Sequence, residues 1–428
     1  MKPYLVISAP ASSRSGYGDH SRDLIRSLMK MNKFDIHIID QMWGHCPQNS
    51  LSNDDPIRNL ILTTQMEKQP DIWIQVTVPN EFQPIGKYNI GITAGIETNM
   101  ASPQWIEGCN RMNKIIVPSM HSKYVIEKST YDKREQGTDV VVEKLKCERE
   151  IDVLFEGLDL EAFRKTNEIN KDIKNSLDSI KENFCFLICG HWLNGVQGED
   201  RKDISMTIKT FLESFKNKQQ KNMPALVIKT SSATFSISDR EDILNKLDSI
   251  KAQINSDKLP NIYLLHGDLS TEEMNGLYNH PKIKAMISFT KGEGFGRPLL
   301  EFSNTGKQTL VSNWSGQLDF MSAYGILLPG EIKKVHPSVV WDNVIMQESS
   351  WFTVDYVYAS NIIQDVYKNY KKYHEKSRKQ TQYIKDNFSL NSMKEKFEEI
   401  MEDVSRGFSD SIKLDTGIEK LEEVQVYE

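Results

Sequence analysis

The chain has 428 residues, enough for two or three domains that each bury a core. Its 53 Lys and Arg against 59 Asp and Glu leave a net charge of −6, which argues against a protein that wraps nucleic acid by bulk charge. An apolar content of 39% sets aside disorder, and runs such as Leu60–Leu62 or Ala285–Ile287 fall far short of the ~20 residues a membrane span needs.

The opening MKPYLVISAPASS has a lysine before an apolar run, but Pro3 and Pro10 bracket a run too short for a secretion leader. It reads as a buried first strand, Tyr4–Ser8, followed by a Gly/Ser-rich turn and a helix over Ser21–Lys30 with Leu24, Ile25 and Leu28 on one face. Strands are expected at Phe34–Ile39, Asp71–Val76, Asn89–Thr93, Lys114–Val117 and Val153–Glu156, with 128–150 as a charged surface excursion. Strands alternating with helices imply a parallel sheet covered on both faces. Lys165–Glu182 reads as a linker. The pattern then restarts, with strands at Phe184–Cys189, Ala225–Lys229, Ile262–His266, Ala285–Ser288 and Thr309–Ser312. Helices are expected at about Ile204–Phe215, Glu241–Ile254, Thr271–Tyr278 and Pro298–Ser303. Residues 360–405 are helical in pattern, and the stretch from Ser409 carries six acids against two lysines, the mark of a flexible solvated end. The fold expected is α/β, with two doubly wound domains, 1–165 and 180–387, and an acidic tail over 409–428. Ligands bind such sheets at the carboxyl ends of the strands, here in a cleft between the halves.

The five cysteines, Cys46, Cys109, Cys147, Cys185 and Cys189, form no CxxC pair. A zinc ribbon or disulfide framework is therefore not expected, and a reducing, cytoplasmic setting is. No histidine pair has the spacing of a zinc helix, and Asp40, Asp54 and Asp55 make no DxD pattern, so no metal is expected. His20 and His121 are candidates to face the cleft, and Trp105 and Trp314 are candidates to stack on a sugar, each against a plainer packing role.

The sharpest feature is Ser288–Glu301, SFTKGEGFGRPLLE. A strand ends near Ser288, glycines at 292, 294 and 296 permit close backbone approach, and Pro298 suits a helix's first turn. Free N–H groups there suit an anionic phosphate. Glu293 and Glu301, eight residues apart, would repel that anion, and make sense if they accept hydrogen bonds from hydroxyls, a sugar on one side and a ribose on the other. The competing reading is a glycine turn with two solvated acids. Arg201 and Lys202 open a helix, where adjacent cations are unfavourable unless a diphosphate neutralises both. Gly16 and Gly18 follow the first strand, but Ser21 stands where a dinucleotide fingerprint has its third glycine, and Asp40 alone could read a ribose. They suit a loop that approaches a donor or acceptor across the cleft.

EGFGRPLLE resembles the E-x7-E motif of retaining GT-B glycosyltransferases, family 4 in particular. Gly267–His280, Gly306, Ser312–Phe320, Ser15–Leu28 and Gly95–Val125, with Glu97, Pro103, Trp105, Pro118 and Ser119, are similar to the family's flanking segments. Asn387–Met401 resembles its closing segment, which implies that a helix over about 388–408 returns to the first domain. The resemblance implies that Glu293, with Gly294, Phe295 and Gly296, orients the donor sugar. Glu301 would hold the ribose, with Arg297, Pro298 and Leu299 completing the donor loop. Arg201 and Lys202 match the family's "RK" element for the donor phosphates, and Glu97 would face the reacting centre, where many members have a His. His191 and Trp192 depart from the Arg that many members carry after the strand, and Leu193–Asp200 is enlarged. The implied activity is metal-independent, cofactor-free transfer from a nucleoside-diphosphate sugar to a hydroxyl of a glycan, lipid, small molecule or modified base, with configuration retained. Open beside it stand a GT-B transferase that decorates a nucleic-acid base, a non-catalytic nucleotide-sugar-binding protein, and an NAD-linked oxidoreductase weakened by Ser21.

Overall fold

The computed structural model of the chain describes residues 2–415 except 135–138, 194, 220, 222 and 233–234, and for 406–415 the backbone alone. Apolar runs become strands that are buried on both faces inside the sheet and on one face at its β2 edge. In the first half these are β1 (Tyr4–Ala9), β2 (Asp35–Asp40), β3 (Ile72–Val76), β4 (Tyr88–Ile92) and β5 (Lys114–Val117). A hairpin of β6 (Thr130–Arg134) and β7 (Val141–Lys146) precedes β8 (Glu150–Val153). The sheet order is β2-β1-β3-β4-β5-β8, parallel throughout. Helices α1 (Gly16–Met31), α2 (Pro103–Arg111) and α3 (Met120–Lys128) cover it, each started by a serine whose hydroxyl accepts from a first-turn N–H. The edge strand lies slightly earlier than Val153–Glu156 because Lys114 of β5 draws Asp152 (2.7 Å) and Glu150 (3.1 Å) into register.

The second half repeats the plan with β9 (Cys185–Cys189), β10 (Ala225–Lys229), β11 (Ile262–Leu265), β12 (Ile283–Ser288), β13 (Gln308–Ser312) and β14 (Ile326–Leu328), in the order β11-β10-β9-β12-β13-β14. The stretch expected as a linker carries α4 (Lys171–Asp178), whose Ile173 and Leu177 pack in the second domain's core. Helices α5 (Ile204–Phe215), α6 (Ile237–Ala252), α7 (Thr271–Asn279), α8 (Arg297–Ser303) and α9 (Leu318–Met321) follow in chain order. A second pair of strands not expected from the sequence, β15 (Gly330–Lys334) and β16 (Ser350–Val354), forms an antiparallel ribbon. β15 is exposed on both faces, so its apolar pattern is too thin to read.

After α10 (Tyr356–Lys368) and α11 (His374–Asn387) the chain crosses back. At the crossing the Leu158 N–H donates to the Phe388 carbonyl and the Leu390 N–H donates to the Leu158 carbonyl, both at 2.8 Å. α12 (Leu390–Asp415) then lays Met393, Phe397, Ile400, Met401 and Val404 against Leu24, Ile25 and Leu28 of α1, in one apolar cluster. The helix runs past its expected end at about 408. The remainder of the acidic tail, 416–428, lies outside the described residues. Among the described residues no helix is long and apolar enough to cross a membrane.

Candidate active site

The E-x7-E segment sits where the two sheets' carboxyl ends meet, pressed against the first domain. A Cβ on Gly292 would stand 1.8 Å from the Glu97 carbonyl oxygen, and one on Gly294 would stand 1.9 Å from that of Ala94. Only glycine permits that approach, which explains the glycines from packing as well as from ligand access. From the other side the Ser312–Gln317 segment clamps the loop. Ser315, in the left-handed region at φ 69, accepts a hydrogen bond from the Glu293 N–H at 2.9 Å, and the Gly316 N–H donates to the Glu293 carbonyl at 3.0 Å. A strained non-glycine residue held by such bonds marks a site whose geometry is over-determined. Gly296, at φ 100, precedes α8 with Pro298 in its first turn. The N–H groups of Gly294, Phe295 and Gly296 find no acceptor among the described residues, while the Phe295 and Leu299 side chains are buried.

The buried Glu293 carboxylate meets both cations expected from the sequence. Lys202 Nζ bonds Oε1, and Arg201 Nη1 lies 3.2 Å from Oε2 while donating to the Gly292 carbonyl at 3.1 Å. Glu97 stands 3.8 Å from Arg201. Burial pushes the Glu293 carboxyl up, but Lys202 and Arg201 outweigh it and hold it ionised. Glu97, with Arg201 opposing burial and Glu293 adding to it, ends raised. Arg201 and Lys202 lie in the turn just before α5, and the left-handed Asp203 (φ 50) caps the helix. Asp203 is fully buried, accepts from the Tyr356 hydroxyl at 2.6 Å and lies 3.6 Å from Lys291, which also donates to Thr353. This lysine, 1% exposed, was not legible in the sequence as a structural cation. It braces the backbone that carries Arg201 and Lys202, since the Lys291 N–H donates to the Arg201 carbonyl at 2.7 Å.

Glu301 occupies a different setting. The Tyr278 hydroxyl donates to its Oε2 at 3.1 Å, and Arg297 Nε lies 3.5 Å from Oε1. Arg297 also reaches into the first domain, 3.0 Å from Asp23 of α1 and 3.7 Å from Glu156 on the crossing segment. Its Nη1 atom has no hydrogen-bond partner among the described residues. Burial raises the Glu301 carboxyl to about 8 against the pull of Arg297, and raises Glu156 to about 7 in the same way. Asp23 and Glu156 were not singled out from the sequence, because nothing local ties them to Arg297, which lies 274 positions from Asp23 along the chain.

Gly16 opens α1, and Gly18 packs against the Ser13 carbonyl. The first-domain segment that meets Gly294 is Ala94–Gly95, not this glycine pair. His20 is buried with Nδ1 unpartnered among the described residues, its pKa pulled down to about 3 by burial and then by Arg297. His121 packs edge-on against Trp314 at 4.7 Å across the cleft, and Trp105 is buried in the first core. His191 hydrogen-bonds Ser231 at 3.2 Å and Trp192 is buried, and in the Leu193–Asp200 loop residue 194 lies outside the described residues. Among the described residues no group of three His, Cys, Asp or Glu is placed to hold a metal ion.

Two facing Rossmann-like domains with their crossing linkers and this central loop define the GT-B fold. The chain is similar over 95% of its length to all of a sucrose-phosphate synthase from Thermosynechococcus elongatus, with a TM-score of 0.61 at 11% identity. It is similar over 94% of its length to 98% of a glycosyltransferase from Rickettsia africae, with a TM-score of 0.61 at 13% identity. A third likeness, over 94% of this chain and all of the other, is to Anabaena HepE solved with UDP and glucose, with a TM-score of 0.55 at 11% identity. No protein-family model matches the sequence, and no curated protein matches it.

Proposed function

We propose that the protein is a retaining glycosyltransferase that moves a sugar from a nucleoside-diphosphate sugar to an acceptor hydroxyl without a metal. The observation that carries this reading is the convergence of Arg201, Lys202, Glu293 and Glu97 on the glycine loop in the interdomain seam. The HepE structures in complex with UDP and with UDP-glucose support the choice of donor class.

The chemistry asks the protein to stabilise charge building on a departing diphosphate. Arg201 and Lys202 are positioned for that, braced by Asp203 and Lys291. Glu293, already ionised, exchanges some of its bonds to these cations for donor hydroxyls when phosphate takes its place beside them. Glu301 accepts from the ribose diol, and Glu97 faces the reacting centre from the first domain. The leaving phosphate takes the acceptor proton, so no side-chain base is required. The test is a panel of sugar nucleotides, read by thermal stabilisation and by release of nucleoside diphosphate. Binding at 100-fold over Kd adds about 2.7 kcal/mol of stability. No stabilisation by any donor would remove the reading, and NMR of the product's anomeric coupling decides retention against inversion.

A further inference from the structure

Resting on that reading, we propose that Tyr17 and Trp43 form a platform for the acceptor, and that the acceptor presents a neutral sugar residue to it. Of the chain's seven tryptophans, Trp73, Trp105, Trp192 and Trp351 are buried, whereas Trp43 is half-buried in the loop after β2. Its ring stacks on Tyr17 at 4.0 Å and 28°. The pair is held in place from several sides. The Tyr17 hydroxyl hydrogen-bonds Thr93 Oγ1 at 3.0 Å and accepts from the Ala94 N–H at 3.1 Å, and Ala94 is the residue whose carbonyl touches Gly294. The Trp43 loop is tied to the loop after β1, by the Arg14 N–H to Pro47 at 2.8 Å and the Ser50 N–H to Ser12 at 3.1 Å. The platform thus stands at the strands' carboxyl ends, one residue from the donor loop.

The chemistry of the surround selects the ligand. A pyranose offers a face of C–H groups whose positive edges meet an aromatic ring's negative face, and a ring of hydroxyls that needs polar partners. Arg14 pairs with Asp268 of the second domain at the rim, and both remain partly exposed to share bonds with hydroxyls. Residues 41–50, QMWGHCPQNS, contain no Lys, Arg, Asp or Glu. A nucleic-acid base could stack here, but its phosphates would find no free cation in this loop. A neutral sugar needs none.

The test uses the full chain with methyl glucoside, mannoside, galactoside and N-acetylglucosaminide, saturated with UDP, by saturation-transfer NMR. UDP affinity is measured separately by calorimetry. At least one glycoside should bind. Trp43→Ala should weaken it about tenfold or more and Trp43→Phe less, with UDP affinity unchanged in both. Should Trp43→Ala fail to fold, the Trp43 indole N–H resonance, assigned through Trp43→Phe, must shift on titration with the glycoside. A wild-type chain that binds UDP but no glycoside would overturn the platform alone. So would equal binding by Trp43→Ala, a stationary indole resonance, or adenosine displacing the glycoside from Trp43. Failure to bind UDP or any other nucleotide would instead strike the donor reading, leaving a Trp43-dependent glycoside signal in support of the platform.

Discussion

The two glutamates of the E-x7-E motif lie in opposite electrostatic settings. Around Glu293, two cations face two carboxylates, Glu293 itself and Glu97. Around Glu301, the one guanidinium of Arg297 lies within 4 Å of three, Asp23, Glu156 and Glu301. Both glutamates are buried, so the difference lies in the balance of neighbours and not in desolvation. The first carboxyl stays ionised and its cations are available to a polyanion. The second is held up to about 8 and shares one guanidinium that also bridges the domains. That balance suits the roles proposed above, a phosphate at the first cluster and a neutral diol at the second.

The largest expected effect comes from removing the cations of the first cluster. Each preorganised donor aimed at developing charge is worth about 10²–10³ in rate, so Arg201→Ala with Lys202→Ala should lower kcat by about 10⁴. Affinity for a bare nucleoside monophosphate should change far less, because these charges matter most as the leaving group gains charge. Near-normal kcat in the double variant would reduce the pair to structural partners of Glu293. The phosphate contacts would then be sought in the Leu193–Asp200 loop.

In the second cluster the corresponding deletion is Arg297→Met. It leaves Asp23, Glu156 and Glu301 buried without their cation, and breaking such a pair costs about 3–5 kcal/mol. The loss should be largest at pH 8 and shrink toward pH 5, where the carboxyls take up protons. Because Arg297 joins α8 to α1, small-angle scattering should also show a more open molecule. A variant as stable and as compact as the parent would mean that the interdomain contact rests on the glycine seam alone.

This contrast was only partly legible in the sequence. The glutamates, the glycine loop and Arg201–Lys202 are contiguous patterns whose residue types imply their chemistry. The alternating strands likewise follow from apolar runs that a parallel sheet buries on both faces. What brings Asp23 and Glu156 to Arg297 is a crossing of the chain between domains, and no local pattern records it. Lys291 was not legible as a structural cation because its partners, Asp203 and Thr353, come from α5's cap and β16. Trp43 sits in a loop without periodicity, so nothing distinguished it from an ordinary turn residue until Tyr17 was seen beneath it.

A smaller effect separates the two glutamates by titration. Unfolded carboxyls lose their protons near 4.5, whereas Glu156 and Glu301 hold theirs to about 7 and about 8. Between these values the folded state binds more protons, so stability falls as pH rises through the window. Glu301→Gln imitates the protonated form. Its stability relative to the parent should rise from pH 5 to pH 8, by on the order of 1–3 kcal/mol at about 1.4 kcal/mol per unit. Nucleotide affinity in the parent should strengthen over the same range as the carboxylate becomes available, while Glu301→Gln should bind about ten- to hundredfold more weakly at pH 8 and show no such rise. A parent whose stability is flat over this window would place Glu301 in contact with more compensating charge than Arg297 provides.

The smallest expected effect is none at all, from excess chelator. Hard divalent cations seek clustered oxygens, and the oxygen-rich cluster here surrounds Arg297, whose guanidinium already occupies its centre. The Glu293 cluster presents Arg201 and Lys202, which repel a further cation. Activity should therefore survive EDTA. Complete loss, restored by magnesium or manganese, would move the stabilisation of the leaving group onto a metal and demote both side chains. The comparison supplies a control in the other direction. With Arg297→Met the three carboxylates are left facing one another, so calcium or manganese should raise the melting temperature of that variant and leave the parent's unchanged. Metal stabilisation of the parent would show that the guanidinium does not fill the cluster. Its absence in both would show that the carboxylates relieve their repulsion by taking up protons.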